Sequence, residues 1–95
     1  MKPQFLVHDA KDNVGVAVTD IKSGEKLSGA CLEDGSRISL EAKDAIPLGH
    51  KVALSAFKKG ENVTKYGVVI GHTTQPISKG QHVHVQNVKS NRWSQ

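Results

Sequence analysis

The chain has 95 residues, enough for one domain that buries roughly 60 to 65% of its unfolded surface, which excludes a large enclosed active site built by this chain alone. Hydrophobic residues make up 37%, Gly occurs nine times, and the aromatics are only Phe5, Phe57, Tyr66 and Trp93. The net charge of +4 comes from 13 Lys and Arg, scattered in ones and twos, against 9 Asp and Glu; this leaves a mild preference for anions and excludes the dense basic stripe and stacking platforms of a nucleic-acid binder.

From the N-terminus, the apolar stretch around Phe5-Leu6-Val7 is too short for the core of a signal peptide, and no run approaches the ~20 apolar residues of a membrane span. Neither secretion nor membrane insertion is expected. Short alternating runs recur at 5–8, 14–18, 37–40, 51–57, 63–66, 68–70 and 82–88, and they predict an all-β domain. Lys11-Asp12-Asn13 reads as a plain loop and Glu33-Asp34-Gly35-Ser36 as a hairpin turn. One short helix is allowed near 39–44. Cys31 is the only cysteine and sits between Ala30 and Leu32, so it predicts a buried thiol in a reducing cytoplasm, without disulfide or metal spacing. The domain is expected over 1–88, with 89–95 a tail in which Arg92-Trp93 is either disordered or a clamp onto a partner.

A repeated pattern organises the chain. Ile21-x-x-Gly24-x-x-Leu27, Ile46-x-x-Gly49-x-x-Val52, Phe57-x-x-Gly60-x-x-Val63 and Ile77-x-x-Gly80-x-x-Val83 share one form. Each predicts a buried anchor, a tight turn whose glycine takes positive φ, and a second buried anchor on the next strand. The irregular spacing between copies makes this a turn device within one fold and not a solenoid.

Candidate polar groups lie in the same runs. His82 and His84 alternate with Val83 and Val85, so a strand there has one apolar face and another carrying two imidazoles ~6.5 Å apart. On the residues alone, solvated histidines are the simpler reading. A zinc site within this chain would need His50, His72, His8 or a carboxylate as well. His50-Lys51 leaves the Pro47-x-Gly49 turn, where a backbone and a cation can face an anion or simply meet water. In Lys65-Tyr66-Gly67, the lysine is solvated or functional and Gly67 reads as a bulge. Asn87 either caps a strand end or reaches a substrate hydroxyl.

Two stretches carry a family resemblance: Ala45-Ile46-Pro47-Leu48-Gly49-His50-Lys51-Val52-Ala53-Leu54, and Lys65-Tyr66-Gly67-x-x-Ile70-Gly71 together with Ile77-x-x-Gly80-x-His82-Val83-His84-Val85-x-Asn87. They resemble the SAF-type domain at the N-terminus of altronate and galactarate dehydratases. Phe5-Leu6-Val7-His8, with Asn13-Val14-Gly15-Val16-Ala17-Val18 and an end soon after Val88-Lys89, is similar to the form in which that domain stands free as a lyase small subunit. The resemblance implies a β-clip fold of short hairpins. It also implies a chemistry in which the proton α to a carboxylate is removed and a β leaving group departs, with sulfite from (2R)-sulfolactate preferred over water from a sugar acid.

The partners implied are a large catalytic lyase subunit and an anionic 2-hydroxy acid, with no nucleic acid and no membrane. A divalent metal, iron or similar, would be held by the large subunit. His82, His84, His50, Lys51, Lys65 and Asn87 become expected substrate contacts, with His82 and His84 also candidate metal ligands. No catalytic residue is expected in this chain alone, which would be inactive by itself. A non-catalytic module that binds anionic sugars is the alternative from another class. Gln81 and Gln86 stand where the family pattern has Glu and His, and the missing histidine at 86 counts against a three-histidine metal centre.

Overall fold

The computed structural model describes residues 2–90; the expectations for Arg92 and Trp93 lie outside the described residues. Nine strands and no helix occur among them: β1 (Phe5–Val7), β2 (Val14–Ala17), β3 (Lys26–Cys31), β4 (Arg37–Glu41), β5 (Lys51–Ala53), β6 (Asn62–Lys65), β7 (Val68–Thr73), β8 (His82–Val83) and β9 (Val88–Ser90). Six form a sheet in the order β4-β3-β1-β2-β5-β8, and three form a second sheet, β6-β7-β9. All pairings are antiparallel except β1 with β3. The all-β expectation holds.

The allowed helix near 39–44 is not formed. Ser39 and Leu40 lie opposite Ser28 and Leu27 in the β3–β4 hairpin, so their backbone groups are committed to a neighbouring strand and not to a helical turn. That hairpin turns at Gly35 (φ 72°), within the segment read as its turn. Strand β3 itself escaped the alternating pattern. At its centre Gly29 lies opposite Phe5, and any side chain there would run into the fully buried Phe5 ring. The glycine that hides the strand from pattern reading is the one that admits the central aromatic.

The four turn copies build the scaffold. Gly24, Gly49, Gly60 and Gly80 take φ of 85°, 89°, 83° and 88°, and all eight flanking anchors are buried. The copies associate in pairs: Ile21 bridges Ile46, and Phe57 bridges Ile77, each through two reciprocal backbone hydrogen bonds of 2.8–3.0 Å. The first pair feeds a core around Phe5, Val7, Leu27 and Val52, and the second feeds one around Val14, Ala53, Val63 and Val83. Strand β5 joins them, because Val52 faces one core and Ala53 the other.

Two further expectations are corrected. The run at 82–88 is not one strand: β8 ends at Val83, residues 84–87 turn, and β9 pairs with β7 through Ser90. Val85 is consequently 80% exposed and Val83 1%. Strand β9 includes Lys89 and Ser90. Gly67 is not a bulge either. Tyr66 (φ 56°) and Gly67 (φ 71°) form a two-residue hairpin turn between Lys65 and Val68, of the kind that needs positive φ at both positions; the register shift lies at Val63/Thr64 instead.

A tyrosine in that conformation costs about 1–2 kcal/mol, and Asp12 offsets it. The Asp12 carboxylate is buried and accepts the Tyr66 N–H at 3.0 Å and the Gly67 N–H at 2.8 Å. Asn13 ties down the same hairpin, accepting from Thr64 N–H and donating to the Asn62 carbonyl. The segment read as a plain loop is thus the clamp between the two sheets.

Candidate functional site

The register of β5 against β8 decides which side chains meet. Lys51 lies opposite Val83 and Val52 opposite His82; continued one step outward, the same register sets His50 opposite His84. Residues 50 and 52 on one strand and 82 and 84 on the other share a face, since opposed residues in an antiparallel pair point the same way and alternate residues return to it. Three imidazoles therefore converge, with His50 and His82 32 residues apart in sequence and their Nδ1 and Nε2 atoms 2.8 Å apart in space. The rings stack nearly parallel, His50 on His84 at 4.0 Å and on His82 at 5.0 Å between centroids. One nitrogen from each of the three falls within 4.8 Å of the others, and all three residues are half-buried.

The turn copies explain how His50 is free to take part. In three copies the residue after the glycine sends its side chain back to cap a backbone N–H. Glu25 accepts from Lys22 N–H at 3.0 Å, Glu61 from Lys58 N–H at 2.9 Å and Gln81 from Ser78 N–H at 2.6 Å. In the second copy the N–H to be capped belongs to position 47, which is proline and has none. The capping residue is not needed, and histidine replaces it. The same comparison accounts for Gln81, whose amide oxygen makes the bond that a glutamate would make.

His82 and His84 are fixed through their backbones. The His82 N–H donates to Asp44 Oδ2 at 2.9 Å. Asn87, 2% exposed, accepts the His84 N–H at 3.0 Å and donates to the His82 carbonyl at 2.8 Å. Of the two readings of Asn87, the buried and engaged amide matches the cap: it holds the 84–87 turn that aims His84. The Gln86 amide reaches the remaining ring nitrogen, His82 Nδ1, at 3.2 Å.

Burial, and then the neighbouring His50, hold both His82 and His84 below the ordinary histidine value; His84 adds to the effect on His82 and Lys51 to that on His84, while Asp44 opposes it at His82. Both shifts favour the neutral ring, which offers a lone pair. Lys51, on the other face of β5, is lowered by burial and then by the charge of Lys65. With His84 it lines a depression of about 270 Å³ walled by Val63, Ile70, Val83, Val85 and Val88. Lys65 also lies 5.1 Å from the Tyr66 ring centre. Of the six expected contacts, His50, His82 and His84 gather in one cluster, Lys51 shares the adjoining depression with His84, Lys65 lies near enough for its charge to act on Lys51, and Asn87 holds the 84–87 turn. His8 stacks on Tyr66, and neither it nor His72 enters the cluster.

The sequence matches the altronate/galactarate dehydratase SAF domain over residues 3–91. The chain belongs to that family. This SAF domain is 46% identical over 94 residues to the alpha subunit of (2R)-sulfolactate sulfo-lyase from Chromohalobacter salexigens, covering 98% of this chain and 100% of that one. It is 48% identical over 60 residues to the corresponding subunit from Paracoccus pantotrophus, covering 63% of this chain and 90% of that one. Altronate dehydratase from Bacillus subtilis is 43% identical over 91 residues, but these are 96% of this chain and only 17% of that enzyme. The relatives are chains of lyases and dehydratases.

Proposed function

We propose that this SAF domain is the small subunit of a lyase that converts (2R)-sulfolactate to pyruvate and sulfite. The observation that carries the reading is the 46% identity to a sulfo-lyase alpha subunit over that subunit's whole length. In the reaction a base takes the proton at C2, the C3–S bond breaks, and sulfite leaves with the bonding pair. The enol that remains takes a proton at C3 to become pyruvate.

The substrate carries a carboxylate and a sulfonate, and Lys51 with Lys65 supplies paired positive charge to receive them. The charge of Lys65 disfavours that of Lys51, and a dianion between them would relieve the repulsion. The three imidazoles stand beside Lys51 on an open surface, so water is not excluded by this chain alone. A large subunit would close over the cluster and the depression beside it, where the exposed Val85 offers apolar contact. That subunit would also supply the base. The buried thiol of Cys31 is in keeping with a reducing compartment such as the cytoplasm.

The test is co-expression with a large sulfo-lyase subunit from the same source, with assays for sulfite and for 2-keto acid. Sulfite and pyruvate formed in equal amounts by the two-chain sample, and not by either chain alone, is the expected result. A 2-keto acid formed from altronate without sulfite would assign the chain to a dehydratase instead. Failure of the chains to associate would leave the non-catalytic sugar-binding module as the better reading.

A further inference from the structure

We propose that His50, His82 and His84 form a binding site for a divalent first-row transition-metal ion carried by this small chain itself. The family resemblance implies a metal on a large partner subunit, with His82 and His84 as candidate ligands; the geometry points to a site that His50 completes on this chain. It stands on the arrangement of the histidines and does not depend on the lyase reading.

Three features argue for a cation and against an incidental cluster. First, the spacing fits. An ion with metal–nitrogen bonds near 2.0–2.1 Å sets neighbouring ligand nitrogens about 3.3 Å apart at tetrahedral angles. In the metal-free chain His50 Nδ1 and His82 Nε2 share a hydrogen bond of 2.8 Å that an ion would replace, and all three nitrogens lie within 4.8 Å of one another, so opening that pair by about 0.5 Å and closing the third by no more than about 1.5 Å completes the set. Second, the carboxylate charge of Asp44 is felt at His82 and not at His84. Asp44 approaches through its bond to the His82 backbone N–H, and an anion would require protonated rings that repel one another at centroid separations of 4.0–5.6 Å. Imidazole lone pairs that share a cation meet no such penalty, and imidazole suits zinc, copper, iron and nickel. Third, the scaffold is adapted at this copy alone: Pro47 replaces the capped N–H, and the capping side chain becomes His50.

Gln86 completes the site as a positioning residue. A metal on His82 Nε2 requires the proton on Nδ1, where it needs an acceptor. The Gln86 amide, 3.2 Å away, provides its oxygen on turning over and its N–H₂ when the metal is absent. It thus serves both states of the ring. Three protein ligands leave coordination positions open toward solvent, the arrangement of ions that engage a substrate.

The test uses the untagged 95-residue chain, freed of metal and titrated with Co²⁺ while its visible d–d absorption is monitored, with Zn²⁺ as competitor. One ion per chain is expected. His50→Ala, His82→Ala and His84→Ala should each weaken binding by more than the roughly 10- to 100-fold typical of losing an outer hydrogen-bond partner, whereas His8→Ala and His72→Asn should bind as the parent does. Gln86→Leu should lose about 10-fold or more, and Gln86→Glu, an obligate acceptor, should restore or exceed the parent affinity. Thermal melts of the metal-free variants separate lost ligands from lost fold. No saturable Co²⁺ binding, parent-like affinity in a folded His50→Ala chain, or equal losses in the His8 and His72 variants would each overturn the site.

Discussion

The first and second turn copies, 21–27 and 46–52, are bridged to each other through Ile21 and Ile46 and have nearly the same glycine φ, 85° and 89°. They differ in the residue after the glycine. Glu25 returns to cap Lys22, whereas His50 leaves its own turn and meets His82. In this way a structural device becomes a site: the backbone is kept, the need for the cap is removed by proline, and one side chain is freed. The other two copies are controls provided by the molecule, since both retain the cap.

The largest expected effect breaks the equivalence of the copies. A methyl group at Gly24 meets nothing within 4 Å, but at Gly80 it would run into the Glu41 carbonyl oxygen. Gly24→Ala is expected to cost about 1–2 kcal/mol from positive φ alone, and Gly80→Ala more than about 3 kcal/mol. Urea unfolding of both variants checks this. Equal losses would show that the turns are equivalent in packing as well as in backbone.

Next come the two valines beside the histidines. Val83→Ala should destabilise the chain by about 1–3 kcal/mol and Val85→Ala by no more than about 0.5 kcal/mol, because only Val83 is buried. A similar loss at both positions would contradict the end of β8 at Val83. For function, His50→Ala, His82→Ala or His84→Ala in the two-chain enzyme should lower turnover at least about tenfold, or ~1.4 kcal/mol, with association retained. Full activity in all three would remove the cluster from the reaction.

The cap itself gives a smaller, reciprocal effect. Glu61→Ala should cost about 1 kcal/mol, while Pro47→Lys combined with His50→Glu should rebuild the missing cap. The double variant is expected to melt no lower than the parent and to lose the histidine cluster. A markedly lower melting temperature would mean that Pro47 and His50 serve the turn in some other way.

The smallest effect is the dependence on pH. In the metal-free chain, His82 and His84 are held below 6.5, the ordinary value. The unfolded chain therefore binds protons first as the pH falls. The associated stability is fully present above 6.5 and is lost as the pH falls from there through the folded values. Melting temperatures between about pH 8 and 5, with the His82→Asn/His84→Asn variant expected to show a flatter profile, test the sign.

Local chemistry made much of this legible. Positive φ at glycine and burial of the anchors are properties of a short window, so the turn copies and the hairpin at Gly35 could be read from residue order. The alternation of short runs indicated the all-β class for the same reason. Reading failed where a residue's part is set by something distant. Gly29 looks like a break in a strand until the Phe5 ring lies against it, and Asp12 looks like a loop residue until the Tyr66–Gly67 turn docks on its carboxylate. Asn87 reads equally as a cap or a substrate contact until its burial and its bonds to His82 and His84 are seen.

The histidines divide along the same line. Residue order alone places His82 and His84 on one side, because strand alternation is local, and places His50 at the exit of a turn. It offers His50, His72, His8 or a carboxylate as a further ligand without choosing among them, and the family pattern's missing histidine at 86 counts against a triad. Long-range packing reversed that. The antiparallel register of β5 and β8 depends on where Val52 and Val83 find their two cores, and no local rule carries that information, so only the folded chain brings His50 across to meet the pair.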